Sequence, residues 1–266
     1  MHKKFYSSAR SFLLLTSVFF LTTVTYAKSG KEIMEEQKRR HQVAKEETTV
    51  KMELVNRSGR VKERQLSIYS LQLANDLSKG LIKFTGPADI RGVGVLTWEQ
   101  GQDQDDDQWL YIPAARRVKR IASGGKKNAF MGTDLAFEDL RPENLAAHNY
   151  ELVKEEALDG HDCYVIEATP ATNKETKESG YGKRVFWIRK DLLVSVKTEF
   201  YNKRGTLLKI ATASELVELQ EGIYRANRSE TQTVRANTKT VMIIEDRTLQ
   251  PDFDESFFTQ QNLSRN

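Results

Sequence analysis

Apolar and polar residues alternate with a period of two along most of this 266-residue chain, and this pattern restricts its fold more than any other feature. Ten further runs follow the first clear one at 48–54, and they lie at residues 66–73, 81–84, 93–98, 109–112, 163–168, 185–188, 192–200, 207–216, 224–234 and 241–244. Short alternating runs divided by Gly, Asn and Asp predict antiparallel strands. Amphipathic helices of 10–15 residues do not recur between the runs, so a parallel α/β fold is not predicted. The predicted fold class is mainly β, as an antiparallel sheet, barrel or half-barrel.

The run at 192–200 predicts a strand with one apolar face, which carries Leu192, Val194, Val196, Thr198 and Phe200. The sequence N-K-R-G at 202–205 then predicts a hairpin turn into the next strand. A sheet with one apolar face suits the core of a β-sandwich or the wall of a ligand-holding barrel. The period of two does not separate these alternatives.

Short helices are predicted at both ends of the β region. Ser29 and Glu32 have the spacing of a capping box, so a helix begins there. The charge of residues 31–45 predicts that this helix lies on the surface rather than at the centre. Asp254 is predicted to cap a last short helix that packs its aromatic residues on the sheet.

The first 27 residues have the pattern of a secretory signal peptide. Lys3, Lys4 and Arg10 precede an apolar run at 12–21, and T-Y-A at 25–27 predicts cleavage after about Ala27. A membrane span needs about 20 apolar residues, and this run is shorter. Cleavage leaves a single domain over 28–266, with 38 basic and 37 acidic residues. A near-neutral chain of this kind does not indicate a nucleic-acid partner.

No metal site or cofactor is predicted. The only cysteine is Cys163, so the sequence has neither a disulfide framework nor a C-x-x-C zinc site. Asp103, Asp105 and Asp107 have the spacing of the first ligands of a calcium loop. That loop also needs a glycine where Gln108 stands and a glutamate six residues after it, where Ala114 stands. The acidic loop is therefore interpreted as a solvated hairpin tip.

No catalytic residues are predicted, and the chain is not expected to be an enzyme. The four histidines form no H-E-x-x-H pattern, and no G-x-S-x-G elbow occurs. His161 and Cys163 flank Asp162, but consecutive residues of a strand point to opposite faces. Cys163 is interpreted as a small buried side chain and His161 as an exposed turn residue.

The middle of the chain carries its most distinctive motifs. They are W-x-Y-x-P-x-x-R-R-x-x-R-I over 109–121, F-M-G-T-D over 130–134 and F-E-D-L over 137–140. With F-W-I at 186–188, the hairpin at 201–205 and the tail at 252–263, these motifs resemble the LolA-like, bacterial outer-membrane lipoprotein-sorting protein family. The resemblance covers essentially all of residues 28–266. It implies a periplasmic protein with an incompletely closed antiparallel β-barrel, in which short helices cover a hydrophobic cavity.

The resemblance also implies a carrier function. Burying a methylene is worth about 0.8 kcal/mol, so an acyl chain of a lipid or lipoprotein needs a large apolar site. The expected role is transfer of such chains toward the outer membrane; the alternatives are an accessory subunit of an RND-type exporter or a lipid-modifying enzyme. The candidate cavity residues are Val93, Val95, Trp109, Tyr111, Phe130, Met131, Phe137, Phe186, Ile188, Val194 and Val196. Phe130 and Met131 follow a glycine-rich stretch and are expected to close over the cavity, and Arg116, Arg117 and Arg120 are candidates for its rim or a partner surface.

Overall fold

A computed structural model describes residues 1–2, 28–101 and 104–265. The predicted signal peptide falls almost entirely on residues outside this part. The helices are α1 (Gly30–Arg40), α2 (Asn173–Glu178) and α3 (Gln260–Leu263). The strands are β1 (Lys45–Val55), β2 (Val61–Gln72), β3 (Ser78–Gly86), β4 (Gly94–Trp98), β5 (Asp107–Ile112), β6 (Arg117–Arg120), β7 (His148–Leu158), β8 (His161–Pro170), β9 (Lys183–Arg189), β10 (Ser195–Tyr201), β11 (Leu207–Gln220), β12 (Ile223–Thr233) and β13 (Thr238–Leu249).

All thirteen strands form one antiparallel sheet in the order β6-β5-β4-β3-β2-β1-β13-β12-β11-β10-β9-β8-β7. The sheet is open, because β6 and β7 are edge strands that do not pair with each other. The predicted mainly-β fold, an incomplete antiparallel barrel with short covering helices, is therefore confirmed. Every alternating run of the sequence overlaps a strand, and the largest excess is at 192–194, which precede β10. The two strands without such a run, β6 and β7, are the edges, where most side chains stay partly exposed.

The register gives the sheet two faces. We define the inner face by Val95 on β4, Val50 on β1 and Phe186 on β9. The inner residues of β1 to β5 form one buried cluster, and those of β8 and β9 form a second. The outer face carries Leu96, Trp109 and Tyr111 at one end and Cys163, Val165 and Trp187 at the other.

The C-terminal tail covers the outer face of β3 to β5. Phe258 and Leu263 are fully buried there, so the predicted aromatic packing is present. The single predicted helix is instead two pieces: Asp254 caps a 3₁₀ turn at Glu255–Phe257, and Thr259 caps α3. Gly94 on β4 permits this contact. A Cβ at that position would lie 2.9 Å from Leu263 Cδ1 and 2.9 Å from the Ile82 carbonyl oxygen.

Helix α1 lies against the inner face of the other half. The predicted capping box between Ser29 and Glu32 is present. Ile33 and Met34 are buried against β8 and β9, and Gly30 fits closely on the β7 backbone at 151–152. The helix lies at the surface, as the charge of residues 31–45 predicts, and only this one apolar patch packs into the core. In the described part of the chain, no helix is long and apolar enough to cross a membrane.

A second covering segment, residues 128–145, runs over the inner face and is called the strap. The side-chain oxygens of Asp134 accept hydrogen bonds from the hydroxyls of Thr233 (2.6 Å), Thr238 (2.5 Å) and Thr240 (2.8 Å) on β12 and β13. Five residues later, Asp139 pairs with Lys209 of β11, and both side chains are buried. The F-M-G-T-D and F-E-D-L motifs thus fasten the strap to the middle of the sheet.

Candidate functional site

An apolar cavity of about 410 Å³ lies between α1 and the inner face of β9 to β12. We call it the helix cavity. Its roof is one face of α1, because the lining residues of that helix follow the spacing i, i+3, i+4, i+7. They are Met34, Gln37, Lys38 and His41. The sheet and the end of the strap supply the rest of the lining, which is Pro142, Glu143, Leu145, Phe186, Val194, Ser195, Ala213, Tyr224, Arg225 and Ala226.

Small side chains on the central strands leave this space open. The cavity floor includes Ala213 on the inner face of β11, and Ser229 of β12 lies opposite it in the register. Ala226 of β12 also lines the cavity, but it is three residues from Ser229, so its methyl group points to the outer face. On other strands, inner positions are filled by large residues such as Met242 of β13 and Phe186 of β9. The methyl group of Ala213 therefore covers a part of the floor that leucine or phenylalanine would fill. The volume falls within the roughly 300–1,000 Å³ that is typical of ligand pockets.

The roof is attached mainly by polar contacts. Gln37 Nε2 donates to Ser195 Oγ (2.9 Å), and His41 Nε2 lies 3.0 Å from the Leu192 carbonyl oxygen. His41 Nδ1 accepts from the Tyr224 amide (3.2 Å), so Nε2 carries the proton and the ring is neutral. Burial lowers the pKa of His41, which favours this neutral form. The C-terminal end of α1 is therefore held by hydrogen bonds to β12 and to the loop before β10.

A second, polar cavity of about 260 Å³ adjoins the first, and Pro142, Glu143 and Phe186 line both. The Glu143 carboxylate accepts hydrogen bonds at 2.5 and 2.7 Å from Arg184 of β9, and one from Tyr150. Burial alone would raise the pKa of Glu143, but the adjacent Arg184 guanidinium contributes more to the net shift and holds that pKa below its usual range. Glu143, near the end of the strap, thus forms an ion pair with Arg184 at the boundary of the two cavities.

Only two of the eleven predicted cavity residues line the helix cavity, namely Phe186 and Val194. Ile188 is fully buried beneath α1 in the same cluster as Phe186. Val93, Val95, Phe130 and Phe137 form a packed cluster under the strap, with Met131 at its margin. The ring of Phe130 is stacked on Phe84, with centroids 5.6 Å apart, and is 1% exposed. It is therefore part of the core in this structure rather than a loop above a cavity.

Three predicted cavity residues lie on the opposite face of the sheet. Trp109 and Tyr111 pack beneath the C-terminal tail. Val196 packs with the outer cluster of β8 and β9 because a register shift between Ser195 and Lys197 interrupts the alternation of β10. The predicted single apolar face of residues 192–200 is wrong for this reason: Ser195 reaches the inner face and Val196 the outer one.

The basic residues of the middle motif lie far along the sheet from the helix cavity. Arg117 and Arg120 are on the edge strand β6, and Arg116 precedes it with a left-handed backbone (φ 48°). Arg120 pairs with Asp107 of β5. The cationic residues that line the cavity are instead Lys38 and Arg225. In the described residues, no group of three or more His, Cys, Asp or Glu side chains is placed to hold a metal ion.

The acidic loop and the cysteine have structural partners. Asp105 pairs with Lys174 of α2 (2.6 Å), and Asp106 is buried against Arg141 of the strap (2.9 Å); Asp103 lies outside the described residues. Cys163 is buried in the outer cluster, where burial raises the pKa of its thiol. His161 is exposed, as predicted, but it is the first residue of β8 and follows the turn at 159–160.

Comparison with solved structures identifies the family. A crystal structure from Vibrio parahaemolyticus, described as an outer membrane lipoprotein-sorting protein domain, superposes with a TM-score of 0.83 at 32% identity, over 89% of this chain and 98% of that one. This chain belongs to the LolA-like outer membrane lipoprotein-sorting protein family. The family resemblance of the motifs is thereby confirmed.

Two further structures and a family model agree with this assignment. A DUF1329 family protein from Desulfovibrio piger is 30% identical over 88% of this chain and 97% of that one, with a TM-score of 0.81. A LolA superfamily protein from Nitrosomonas europaea, 20% identical over 88% and 99% of the two chains, has the same fold with a TM-score of 0.69. A family model described as "Uncharacterized protein" matches residues 76–265. No match was found among the curated proteins.

Proposed function

We propose that this member of the lipoprotein-sorting family is a periplasmic carrier of acyl chains, exported by a signal peptide over residues 1–27. The hydrocarbon chain of a lipid or lipoprotein lies in the helix cavity, and the carrier delivers it toward the outer membrane. The observation that supports this role is an apolar cavity roofed by a helix that is attached mainly by hydrogen bonds. Membership of the lipoprotein-sorting family supports it independently.

The energetics of the cavity fit such a ligand. Each methylene that leaves water for an apolar site contributes about 0.8 kcal/mol, so ten methylenes contribute roughly 8 kcal/mol. Eight kcal/mol corresponds to a Kd of about 1 μM, and the ordering of the chain offsets part of it, so a longer chain binds in the micromolar range and a shorter one more weakly.

Loading and release need movement of α1 rather than of the strap. The strap is fixed by Asp134 and Asp139 and by packed aromatic side chains. Helix α1 is joined to β10 and β12 by exchangeable hydrogen bonds such as Gln37 to Ser195, which water can replace. Its anchoring apolar residues, Ile33 and Met34, are near the other end of the helix.

Filling the floor of the cavity tests the proposal. The variant A213F places a large ring in the cavity, and A213S keeps the residue small as the matched control. Displacement of a fluorescent fatty acid should show at least a tenfold loss of affinity in A213F and little change in A213S. Native mass spectrometry of the wild-type protein should show bound lipid of mixed mass that is lost on delipidation. Equal affinity in all three proteins, or no binding by the wild type, would refute the carrier function.

A second candidate function is docking to an RND-type exporter through β6. This strand is an edge of the sheet, and Arg116, Arg117 and Lys119 are exposed on it, so an acidic strand could pair with it by β-augmentation. Pull-down from detergent-solubilised membranes should lose the exporter when Arg116 and Arg117 are changed to Glu. Unchanged recovery would exclude β6 as the docking surface. Charge reversal at Arg204, which is exposed in the turn between β10 and β11, is the control.

A further inference from the structure

The polar cavity contains two acceptor groups without a donor between them. His148 Nε2 and Glu175 Oε1 are 3.9 Å apart, too far for a hydrogen bond, and no other hydrogen bond to either atom occurs within the described residues. His148 Nδ1 lies 3.4 Å from the Asn144 carbonyl oxygen, so we assign its proton to Nδ1 and a lone pair to Nε2. The His148 side chain is only 10% exposed. The lone pair of His148 Nε2 and the carboxylate of Glu175 therefore face one another within the polar cavity.

The remaining ionised groups make this cavity acidic. Four carboxylates line it, those of Glu138, Asp139, Glu143 and Glu175, with the guanidinium groups of Arg141 and Arg184. Arg184 pairs with Glu143, Lys209 with Asp139, and Arg141 with Asp106, so Glu138 and Glu175 form no ion pair with a lysine or arginine within the described residues. Burial raises the pKa of Glu175, and the nearby Arg141 only partly offsets this. Burial and the nearby Arg184 lower the pKa of His148 to about 4, so the histidine is neutral near pH 7 and does not compensate it.

We infer that the polar cavity binds the primary ammonium group of an amphiphile whose hydrocarbon chain occupies the helix cavity. The inference rests on the proposed carrier function. The two cavities share Pro142, Glu143 and Phe186 in their walls, so they are adjacent, and in the inferred complex one molecule crosses the boundary between them. An ammonium has three donors and no acceptor, which complements two acceptors without a donor. A nitrogen about 2.8 Å from His148 Nε2 and from Glu175 Oε1 would make an angle of about 90° with these two atoms, roughly 20° below the tetrahedral angle, so one nitrogen can donate to both. An anionic head group would instead meet the carboxylates of Glu138 and Glu175.

Head-group preference at constant chain length tests the inference. Dodecylamine, dodecanol and dodecanoate differ only in their polar ends and can compete with a fluorescent fatty acid on the full mature protein. We expect dodecylamine to bind at least tenfold more tightly than dodecanol, since a hydrogen bond to a charged group is worth that much. E175Q should abolish the difference. The control E178Q removes a charge from the same helix at a residue that does not line the cavity, and it should preserve the difference.

The outcomes separate the inference from the proposed function. Equal binding of the three amphiphiles, or tighter binding of dodecanoate, would overturn the ammonium site and leave the carrier function intact. Failure of all three to bind would overturn both. Lysophosphatidylethanolamine and lysophosphatidylglycerol then identify the source of the ammonium. Preference for the ethanolamine lipid indicates a phospholipid cargo, and binding of dodecylamine alone indicates a simpler amine lipid. Circular dichroism and thermal melting of E175Q and E178Q verify that each variant is folded.

Discussion

Truncation of Phe130 tests whether this residue belongs to the core or to a mobile cover over a cavity. In the structure its ring stacks on Phe84 and meets Phe137 edge-on at 5.5 Å, beneath the strap. An aromatic side chain buries about 150–250 Å², which at about 25 cal/mol per Å² gives an upper value of roughly 4–6 kcal/mol. Large-to-small substitutions of buried Phe cost about 3–5 kcal/mol. We therefore expect F130A to lower the free energy of unfolding by about 3–5 kcal/mol.

The assay is urea unfolding followed by tryptophan fluorescence, with thermal melting as a second measure. For a chain of this size, each kcal/mol corresponds to a fall in Tm of about 2–4 °C, so F130A should melt roughly 10 °C lower. V153A is the control, because Val153 is 45% exposed on the edge strand β7 and should change stability by less than about 0.5 kcal/mol. If F130A lowers the free energy of unfolding by less than about 1 kcal/mol, Phe130 is not a core residue, and a movable cover would be the better interpretation.

Three further predictions concern the titrating histidine, the helix and the outer face. The pKa of His148 is about 4 in the folded chain and 6.5 in the unfolded chain, so between these pH values only the unfolded chain binds the proton. The free energy of unfolding should therefore decrease as the pH falls through this range, by on the order of 2 kcal/mol. Denaturation at several pH values should show a flatter dependence in H148Q. A short bis-maleimide cross-link between Q37C and S195C should fix α1 over the helix cavity and prevent uptake and release of the fluorescent fatty acid. G94A should cost on the order of 2 kcal/mol in urea unfolding, because the new methyl group would lie 2.9 Å from Leu263 Cδ1.

Each of these predictions has a matched comparison. The single variant Q37C treated with the same reagent must exchange ligand normally, and exchange in the cross-linked protein would exclude α1 as the moving part. G101A is the comparison for G94A, because nothing lies within 4 Å of a Cβ at Gly101. Equal stability of the two glycine variants would contradict the close packing of the tail. The same pH slope in H148Q and the wild type would mean that His148 is not the responsible group.

Alternation in the sequence predicted the sheet but not the role of each face. A period of two shows which residues share a face of the sheet. In the structure, packed segments cover both faces: Trp109 and Tyr111 lie beneath the C-terminal tail, and Val95 lies beneath the strap. The register shift in β10 exchanged the faces of Ser195 and Val196, and nothing in the residues between Leu192 and Phe200 signals it. Local pattern therefore predicts strands well and long-range coverage poorly.

The candidate site depends on residues that carry little signal in a sequence. Ala213 matters because it is small, and small residues attract no attention in a search for apolar contacts. The lining face of α1 has a helical spacing in the sequence, at Met34, Gln37, Lys38 and His41. Three of these four residues are polar and lie within a charged run, so the spacing does not stand out as an apolar face. His148 and Glu175 are 27 positions apart and meet only because β7 and α2 are brought to the same cavity.

Ala213 of β11 limits the length of tail that the cavity accepts. Because the backbone is fixed by pairing within the sheet, the depth available to a hydrocarbon is determined by the side chain that projects from this site. Valine or leucine there would shorten the longest tail that fits while leaving the strands in place. Relatives with the same architecture can in this way diverge in cargo through a single substitution.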